Sequence, residues 1–355
     1  MKILFYISTI RGGGAARVIV NLANGLADKG YEVILVTNFY ADHEYSLRNP
    51  IRRFVAEEKE SNSNFIIKNT YRIKFLRCLI KREKPDVSIS FMKENCIRLL
   101  IATTGLPTKT IISVRNDPSK EYSDKMSRWM AKLIYRKADG VVFQTEDAKA
   151  WFPKKIQSKA RIIFNQVNER FFYENDVNGE YIMACGRLTS QKNYPMMIRA
   201  FAEVLKVFPG EQLRIYGEGN SKEDLLALIK ELNIQSSVEL IGFSTDIAEA
   251  YKHAKIFLLS SDYEGIPNAV LEAIASSVPV VCTDCPCGGP KMIIRDGENG
   301  YLVPVGDYSK MAQRIIELLS NPVCYKRMKQ NAYHTGDLFR PDRVLQEWID
   351  YIESV

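Results

Sequence analysis

The feature that most constrains this chain is a pattern that runs once and then starts again. A short run of apolar, β-favouring residues ends in a glycine-rich turn, and a helix with a single apolar face follows. Residues 2–9 form such a run, Gly12-Gly13-Gly14 the turn, and residues 15–29 the helix, with Val18, Ile19, Leu22, Ala23 and Leu26 at helical spacing and Gly30 at the stop. Residues 31–37 are the next strand, which completes a β-α-β unit, the building block of parallel sheets. Residues 87–91, 110–114 and 140–143 read as further strands. After residue 180 the pattern restarts with strand 181–185, Gly186 and a helix over 194–208. Strands at 212–216, 238–241, 256–259 and 278–282 then alternate with helices at 222–232, 247–253 and 268–276.

Two successive repeats of this kind predict an α/β chain of two Rossmann-like, doubly wound domains facing a central cleft. A length of 355 residues suits two cores of ordinary size. The expected division is 1–167 and 168–341, with a polar hinge over 167–180. An amphipathic last helix over 342–352, apolar at Val344, Leu345, Trp348, Ile349 and Ile352, is expected to return to the first domain within a terminal segment 342–355.

Charge is unevenly distributed. Residues 1–180 carry 31 Lys+Arg against 20 Asp+Glu, whereas the remainder carries 18 against 22. A basic half beside a slightly acidic one points to an anionic partner for the first domain. Two stretches concentrate the effect. Residues 65–84 interleave Lys68, Arg72, Lys74, Arg77, Lys81 and Arg82 with apolar side chains, and residues 120–137 do the same around Met126, Trp129, Met130 and Leu133. Basic amphipathic helices of this kind lie on anionic bilayers, although the same pattern fits a helix with its apolar face in a core. No run approaches the ~20 apolar residues of a membrane span. The apolar start is too short for a signal peptide, so the expected location is the cytoplasm, peripheral to the inner face of the membrane. Seven cysteines, an odd number, argue for a reducing compartment. Three of them cluster as Cys282, Cys285 and Cys287, with no nearby histidine to complete a zinc set, and no metal is expected. No zinc-finger, RNP or helix-turn-helix pattern accompanies the charge, so nucleic acid is not an expected partner.

Several motifs fall at predicted strand ends, where open α/β sheets bind ligands. Glu264-Gly265-Ile266-Pro267-Asn268 leads into a helix bearing Glu272, one turn beyond Asn268. Gly265 permits close backbone approach, the helix-opening amides near Asn268 suit oxygens, and Glu272 suits a ribose diol. Arg187 and Lys192, between a strand and a helix N-terminus, suit a diphosphate. Gly13 and Gly14 expose backbone amides at the first turn, but Arg17 stands where a dinucleotide fingerprint needs its third glycine. Gly217, Gly242 and Phe243 close two further strands. Phe243 suits either a nucleobase or the core, and taken by itself such an aromatic is more often core. Each motif taken alone also fits a solvated loop.

Taken in order, these motifs resemble glycosyltransferase family 4, the retaining GT-B enzymes, nearly end to end. Asn21-Leu22-Ala23, Gly186-Arg187-Leu188, Tyr216-Gly217-Glu218-Gly219, Gly242-Phe243, the Glu264/Glu272 pair and Gly288-Gly289-Pro290 carry the resemblance. It is nearest to the branch that builds bacterial capsule, O-antigen and other lipid-linked glycans. The resemblance implies a nucleotide-sugar donor, UDP favoured over GDP, and a glycan or polyprenyl-diphosphate-linked acceptor. It implies transfer of a hexose or N-acetylhexosamine with retention and without cofactor or metal. Arg187, Lys192 and Glu264 would act at the reacting centre. Gly13, Gly14, Gly217, Gly242, Phe243, Gly265, Ile266, Pro267, Asn268 and Glu272 would bind substrate. Many relatives carry a sugar-facing histidine where this chain has Val114-Arg115-Asn116-Asp117, which makes Arg115 and Asn116 the corresponding candidates. Gln166 and Met292 also depart from the usual proline and glutamate. Alternatives on the same architecture are a nucleotide-sugar epimerase, which would need acid/base groups that His43, His253 and His334 do not supply at any motif, and a non-catalytic binding subunit.

Overall fold

The computed structural model describes residues 1–57, 64–173 and 179–355. The centre of the expected hinge, 174–178, lies outside them. The chain divides into two compact units, Met1–Phe164 with Asp342–Val355, and Asn165–Pro341. The division falls three residues ahead of the expected boundary.

The first unit is built on strands β1 (Lys2–Ile7), β2 (Glu32–Thr37), β3 (Arg52–Val55), β4 (Val87–Phe91), β5 (Lys109–Ser113), β6 (Gly140–Phe143) and β7 (Ala160–Ile162). They lie in the order β3-β2-β1-β4-β5-β6-β7, and every pairing is parallel. β1 is central and covered on both faces, so its alternating side chains serve two layers. Ile3, Phe5 and Ile7 join one core with the helix Gly14–Asp28 and the last helix, Pro341–Ser354. Leu4 and Tyr6 join the other, under the helices Phe65–Glu83 and Lys93–Thr103.

The last helix is held tightly. Trp348 is 1% exposed and stacks on Phe91 of β4 with ring centroids 5.7 Å apart. The Tyr351 hydroxyl accepts from the Val141 amide at 2.7 Å and donates to the Lys159 carbonyl at 2.6 Å. Gly140 leaves room for it, since a Cβ there would stand 2.7 Å from the Tyr351 oxygen.

The second unit contains β8 (Tyr181–Cys185), β9 (Leu213–Tyr216), β10 (Val238–Gly242), β11 (Ala254–Leu259), β12 (Val280–Thr283) and β13 (Gly300–Val303), all parallel in the order β10-β9-β8-β11-β12-β13. Met197 and Phe201 of the helix Tyr194–Leu205 pack with Ile215, Leu258 and Ile315 into its main core. In both sheets the strand order reverses beside the first strand, which opens a crevice at the carboxyl edge next to β1 and next to β8.

Candidate active site

The second unit brings the loops after its strands together at the carboxyl edge of the sheet. The loop after β9 nests on the loop after β8 because glycine stands at two contacts. A Cβ at Gly217 would meet the Gly186 carbonyl oxygen at 2.0 Å, and one at Gly219 would meet that of Leu188 at 2.2 Å. The Leu188 amide donates to the Glu218 carbonyl at 2.8 Å, and the Gly217 amide to the Gly242 carbonyl at 2.8 Å. Three strand ends are thereby tied together at the position of Arg187.

Residues 190–193 form a single tight turn before the helix Tyr194–Leu205. This turn is stitched to the segment after β11. The Asp262 amide donates to the Gln191 carbonyl at 2.9 Å, and the Gln191 side chain donates to the Tyr263 carbonyl at 2.9 Å. Asn193 donates to Asp262 Oδ1 at 2.7 Å, and the Ser260 hydroxyl to the Lys192 carbonyl at 2.8 Å. Lys192 Nζ is thus carried onto Glu264 Oε1 at 2.5 Å, where the Ser261 hydroxyl also donates at 2.7 Å. The two charged side chains are only 15% and 10% exposed, so their attraction is screened far less than that of a surface pair.

The Glu264–Gly265 segment is clamped from behind. The Glu264 amide donates to the Pro286 carbonyl at 2.6 Å, and the Cys287 amide returns a bond to the Glu264 carbonyl at 2.8 Å. A Cβ at Gly289 would fall 1.5 Å from the Gly265 carbonyl oxygen. Ile266 and Pro267 are buried, and Pro267 opens the helix Asn268–Ala275. Asn268 accepts from the Asn165 amide nitrogen at 2.6 Å. Glu272, 5% exposed, has the Tyr251 hydroxyl 3.5 Å from Oε2.

Arg187 projects from the same loop cluster and is exposed, and its side chain forms no hydrogen bond or ion pair among the described residues. Its guanidinium is therefore available to an anion. Phe243, which taken by itself is more often a core residue, is 74% exposed at the end of β10. The core reading is corrected: the β10 end leaves the ring outside, where it can stack on a flat ligand. Cys282, Cys285 and Cys287 are buried thiols outside any disulfide. Burial is the main cause that pushes the Cys285 thiol up to about 12, helped by the Glu264 charge.

The remaining candidates belong to the first unit. Gly12 and Gly13 hold φ of 40° and 84°, and Gly14 opens the helix Gly14–Asp28 with its amides exposed. Side chains rarely adopt these angles, which accounts for the glycines. Arg115 is placed otherwise than a sugar-facing side chain would be. Its guanidinium lies 3.9 Å from the Phe91 ring centroid and 5.7 Å from that of Trp348, and burial lowers its pKa to about 9. Asn116 accepts from the Asp117 amide at 2.9 Å and so shapes its own turn. The sequence reading passed over Ser261, Gln191, Asp262 and Tyr251. Their only signal was nearness to the motifs they support.

Two parallel Rossmann-like units, the second with a cation pair and two buried glutamates at its strand ends, define a glycosyltransferase of the GT-B class. Residues 12–171 match the family Glycosyltransferase Family 4, and residues 165–335 match Glycosyl transferases group 1. The chain thus carries a Glycosyltransferase Family 4 domain followed by a Glycosyl transferases group 1 domain.

It is 26% identical to the Campylobacter jejuni GalNAc-alpha-(1->4)-GalNAc-alpha-(1->3)-diNAcBac-PP-undecaprenol alpha-1,4-N-acetyl-D-galactosaminyltransferase, over 100% of this chain and 99% of that protein. It is also 26% identical to the Erwinia amylovora amylovoran biosynthesis glycosyltransferase AmsD, over 99% of each. The structure of Anabaena HepE in complex with UDP-glucose superposes with a TM-score of 0.84 at 16% identity, covering 100% of both chains. That of a Thermosynechococcus elongatus sucrose-phosphate synthase reaches 0.85 at 17%, covering 99% of this chain and 98% of the other.

Proposed function

We propose that this glycosyltransferase moves a hexose or N-acetylhexosamine from a nucleotide sugar, UDP-linked in preference, onto a saccharide carried by a lipid diphosphate. The observation that carries the reading is the Lys192–Glu264 pair at 2.5 Å, set beside the free guanidinium of Arg187 at one sheet edge. An ammonium held by one carboxylate and an unengaged guanidinium can both turn to a diphosphate, balancing the charge that grows on it as the glycosidic bond breaks. Glu272 then takes the ribose diol, Phe243 faces the base, and Glu264 shares the sugar hydroxyls with Lys192. Gly217, Gly242, Gly265, Ile266, Pro267 and Asn268 give the donor its backbone-lined wall. In the first unit the exposed amides at Gly13 and Gly14 suit the donor's phosphates, and the Asn116 turn lies beside the inward-facing Arg115.

Transfer is read as proceeding with retention. The bond from the anomeric carbon to the phosphate oxygen breaks, and the acceptor oxygen bonds to that carbon on the same face. The acceptor proton passes to the departing phosphate oxygen. No protein base and no metal is assigned to the step, since Arg187 and Lys192 supply the positive charge. The relatives named for undecaprenol-linked and polysaccharide products support a lipid-linked acceptor.

Peripheral contact with an anionic membrane from the cytoplasmic side belongs to the same reading. Met126, Trp129, Met130 and Leu133 are 38–64% exposed in a single stripe along the helix Lys125–Ile134, and Phe65, Ile66 and Ile67 are 65–72% exposed at the start of the helix Phe65–Glu83. No helix among the described residues is long and apolar enough to cross a membrane. Two experiments test the reading. Incubation with UDP- and GDP-sugars and a polyprenyl-diphosphate saccharide, with the anomeric configuration of the product read by NMR, should give an α-linked product from an α-linked donor; inversion or no transfer refutes it. Flotation with anionic vesicles at low salt should carry the protein upward, and loss of flotation in Trp129→Glu should identify the stripe; wild-type protein that stays at the bottom removes the membrane contact.

A further inference from the structure

A second polar cluster stands in the first unit, where β1, β2 and β4 end. Arg98 is 7% exposed there. Its Nε donates to Asn69 Oδ1 at 2.6 Å and its Nη1 to Asn95 Oδ1 at 3.0 Å, and it also bonds the phenol of Tyr6. The Ser8 hydroxyl reaches the same Asn95 oxygen at 2.8 Å. All of these partners are neutral, and Arg98 forms no ion pair among the described residues. Tyr6 cannot serve as counter-ion, because burial pushes its phenol above its ordinary range despite the two nearby guanidiniums. The neighbouring buried guanidinium, Arg72, is matched differently: Glu57 accepts from its Nε at 2.6 Å. Asn38 adds a second surplus donor. Its Oδ1 accepts from Tyr6 at 2.8 Å, while its Nδ2, in a side chain with no exposure, has no acceptor.

A buried cation held only by neutral groups is costly, and a buried orphan N–H adds to that cost. Both are relieved by one anion with several acceptor oxygens. The cluster lies where the strand order reverses, with β1 between β2 and β4, which is where such sheets take ligands. Asn69 also anchors the start of its own helix by donating to the Phe65 carbonyl at 2.8 Å. One turn from the cluster, therefore, Phe65, Ile66 and Tyr71 are 71%, 72% and 51% exposed.

We propose that Arg98 and Asn38, with Ser8, Asn69 and Asn95 around them, bind a phosphate or diphosphate group, and that in the reaction this group belongs to the lipid-linked acceptor. The site rests on the acceptor reading above only for the source of the anion. Arg98 fixes the charged group, and the apolar turn at Phe65 and Ile66 receives the first isoprene units.

The test is calorimetric and needs no turnover. Full-length protein saturated with UDP is titrated with farnesyl diphosphate, inorganic pyrophosphate and farnesol. Farnesyl diphosphate should bind, pyrophosphate more weakly, and farnesol not at all. Arg98→Gln should weaken farnesyl diphosphate by about 10- to 100-fold, the scale of a lost charge-assisted contact. Arg98→Lys should stay within about tenfold of wild type, and Asn38→Asp, which sets a negative charge against the anion, should weaken binding as Arg98→Gln does. UDP affinity, measured in the same series, should be unchanged, so a failed donor reading shows itself separately. No binding of farnesyl diphosphate to wild type, or unchanged affinity in Arg98→Gln, overturns the site. Equal affinity for pyrophosphate and farnesyl diphosphate overturns its lipid assignment. If Arg98→Gln lacks the wild-type circular dichroism spectrum, Asn38→Asp and Arg98→Lys decide.

Discussion

Replacing Lys192 with alanine should damage stability and turnover together, and the two losses can be separated. The ammonium stands 2.5 Å from Glu264, and the pair is 15% and 10% exposed. Breaking a fully buried ion pair costs roughly 3–5 kcal/mol, because one charge is left without compensation. Here the Ser261 hydroxyl at 2.7 Å still serves the carboxylate, and its edge is open to water. The expected cost is therefore about 2 kcal/mol, or ~4–8 °C in the melting temperature of a unit this size. Turnover should fall further, by about 10²–10³, the loss expected when a charged donor to the developing negative charge is removed. Arg187→Ala offers the contrast. That side chain is exposed and bonded to nothing among the described residues, so stability should stay within ~0.5 kcal/mol of wild type while turnover drops on the same scale. Adding Glu264→Gln to Lys192→Ala should restore most of the lost stability and none of the activity, since no unpaired charge remains. Urea denaturation followed by circular dichroism gives the first quantity, and release of nucleotide measured by chromatography the second. Wild-type stability and turnover in Lys192→Ala, or a double variant no more stable than the single one, would refute the reasoning.

Gly289→Ala should abolish most activity from outside the ligand-facing side chains. Its Cβ would need the space 1.5 Å from the Gly265 carbonyl, so the Glu264–Gly265 segment must shift, and a rise in nucleotide-sugar KM with a lower melting temperature is the expected kinetic and calorimetric result. Glu121 supplies a pH test. Burial raises its carboxyl from 4.5 to about 6, against the bond it accepts from the Lys93 amide. A folded-state pKa above the unfolded one means stability that is complete below about 4.5 and is lost as pH rises through about 6. At pH 7 the ionised group thus costs about 2 kcal/mol, since each pH unit separating the folded from the unfolded pKa is worth ~1.4 kcal/mol. Glu121→Gln should raise stability by about that amount at pH 7 and leave it unchanged at pH 4, as read by denaturation at each pH.

Much of this architecture is legible in the residues because central strands are covered on both faces. The runs at β1, β2, β8 and β11 are nearly continuous in apolar residues for that reason. The strands that escaped notice have weaker physical signatures. β3 reads Arg-Arg-Phe-Val and β7 Ala-Arg-Ile, and each is an edge strand with one neighbour and little burial. β13, four residues long, also lies at an edge. At the site, the sequence shows which loops carry charge but not which charges meet. Lys192 and Glu264 are 72 residues apart, and bonds between residues 191–193 and residues 260–263 bring them into contact. Phe243 and Arg115 show the converse limit: an aromatic side chain can stay outside and a guanidinium can turn inward when rings such as Phe91 and Trp348 offer it a face.

The return of residues 342–355 to the first unit bears on how the protein is made. The second unit is one uninterrupted stretch and can close its core as soon as it leaves the ribosome. The first must wait with the hydrophobic surface around Phe91 and Leu22 uncovered until Trp348 and Ile352 have been synthesised. A ribosome that stalls or terminates early, even after every candidate active-site residue has been translated, releases a product with an open core. Such a product is a ready target for chaperones and proteases, so the position of one helix ties survival in the cell to the synthesis of residues 342–355.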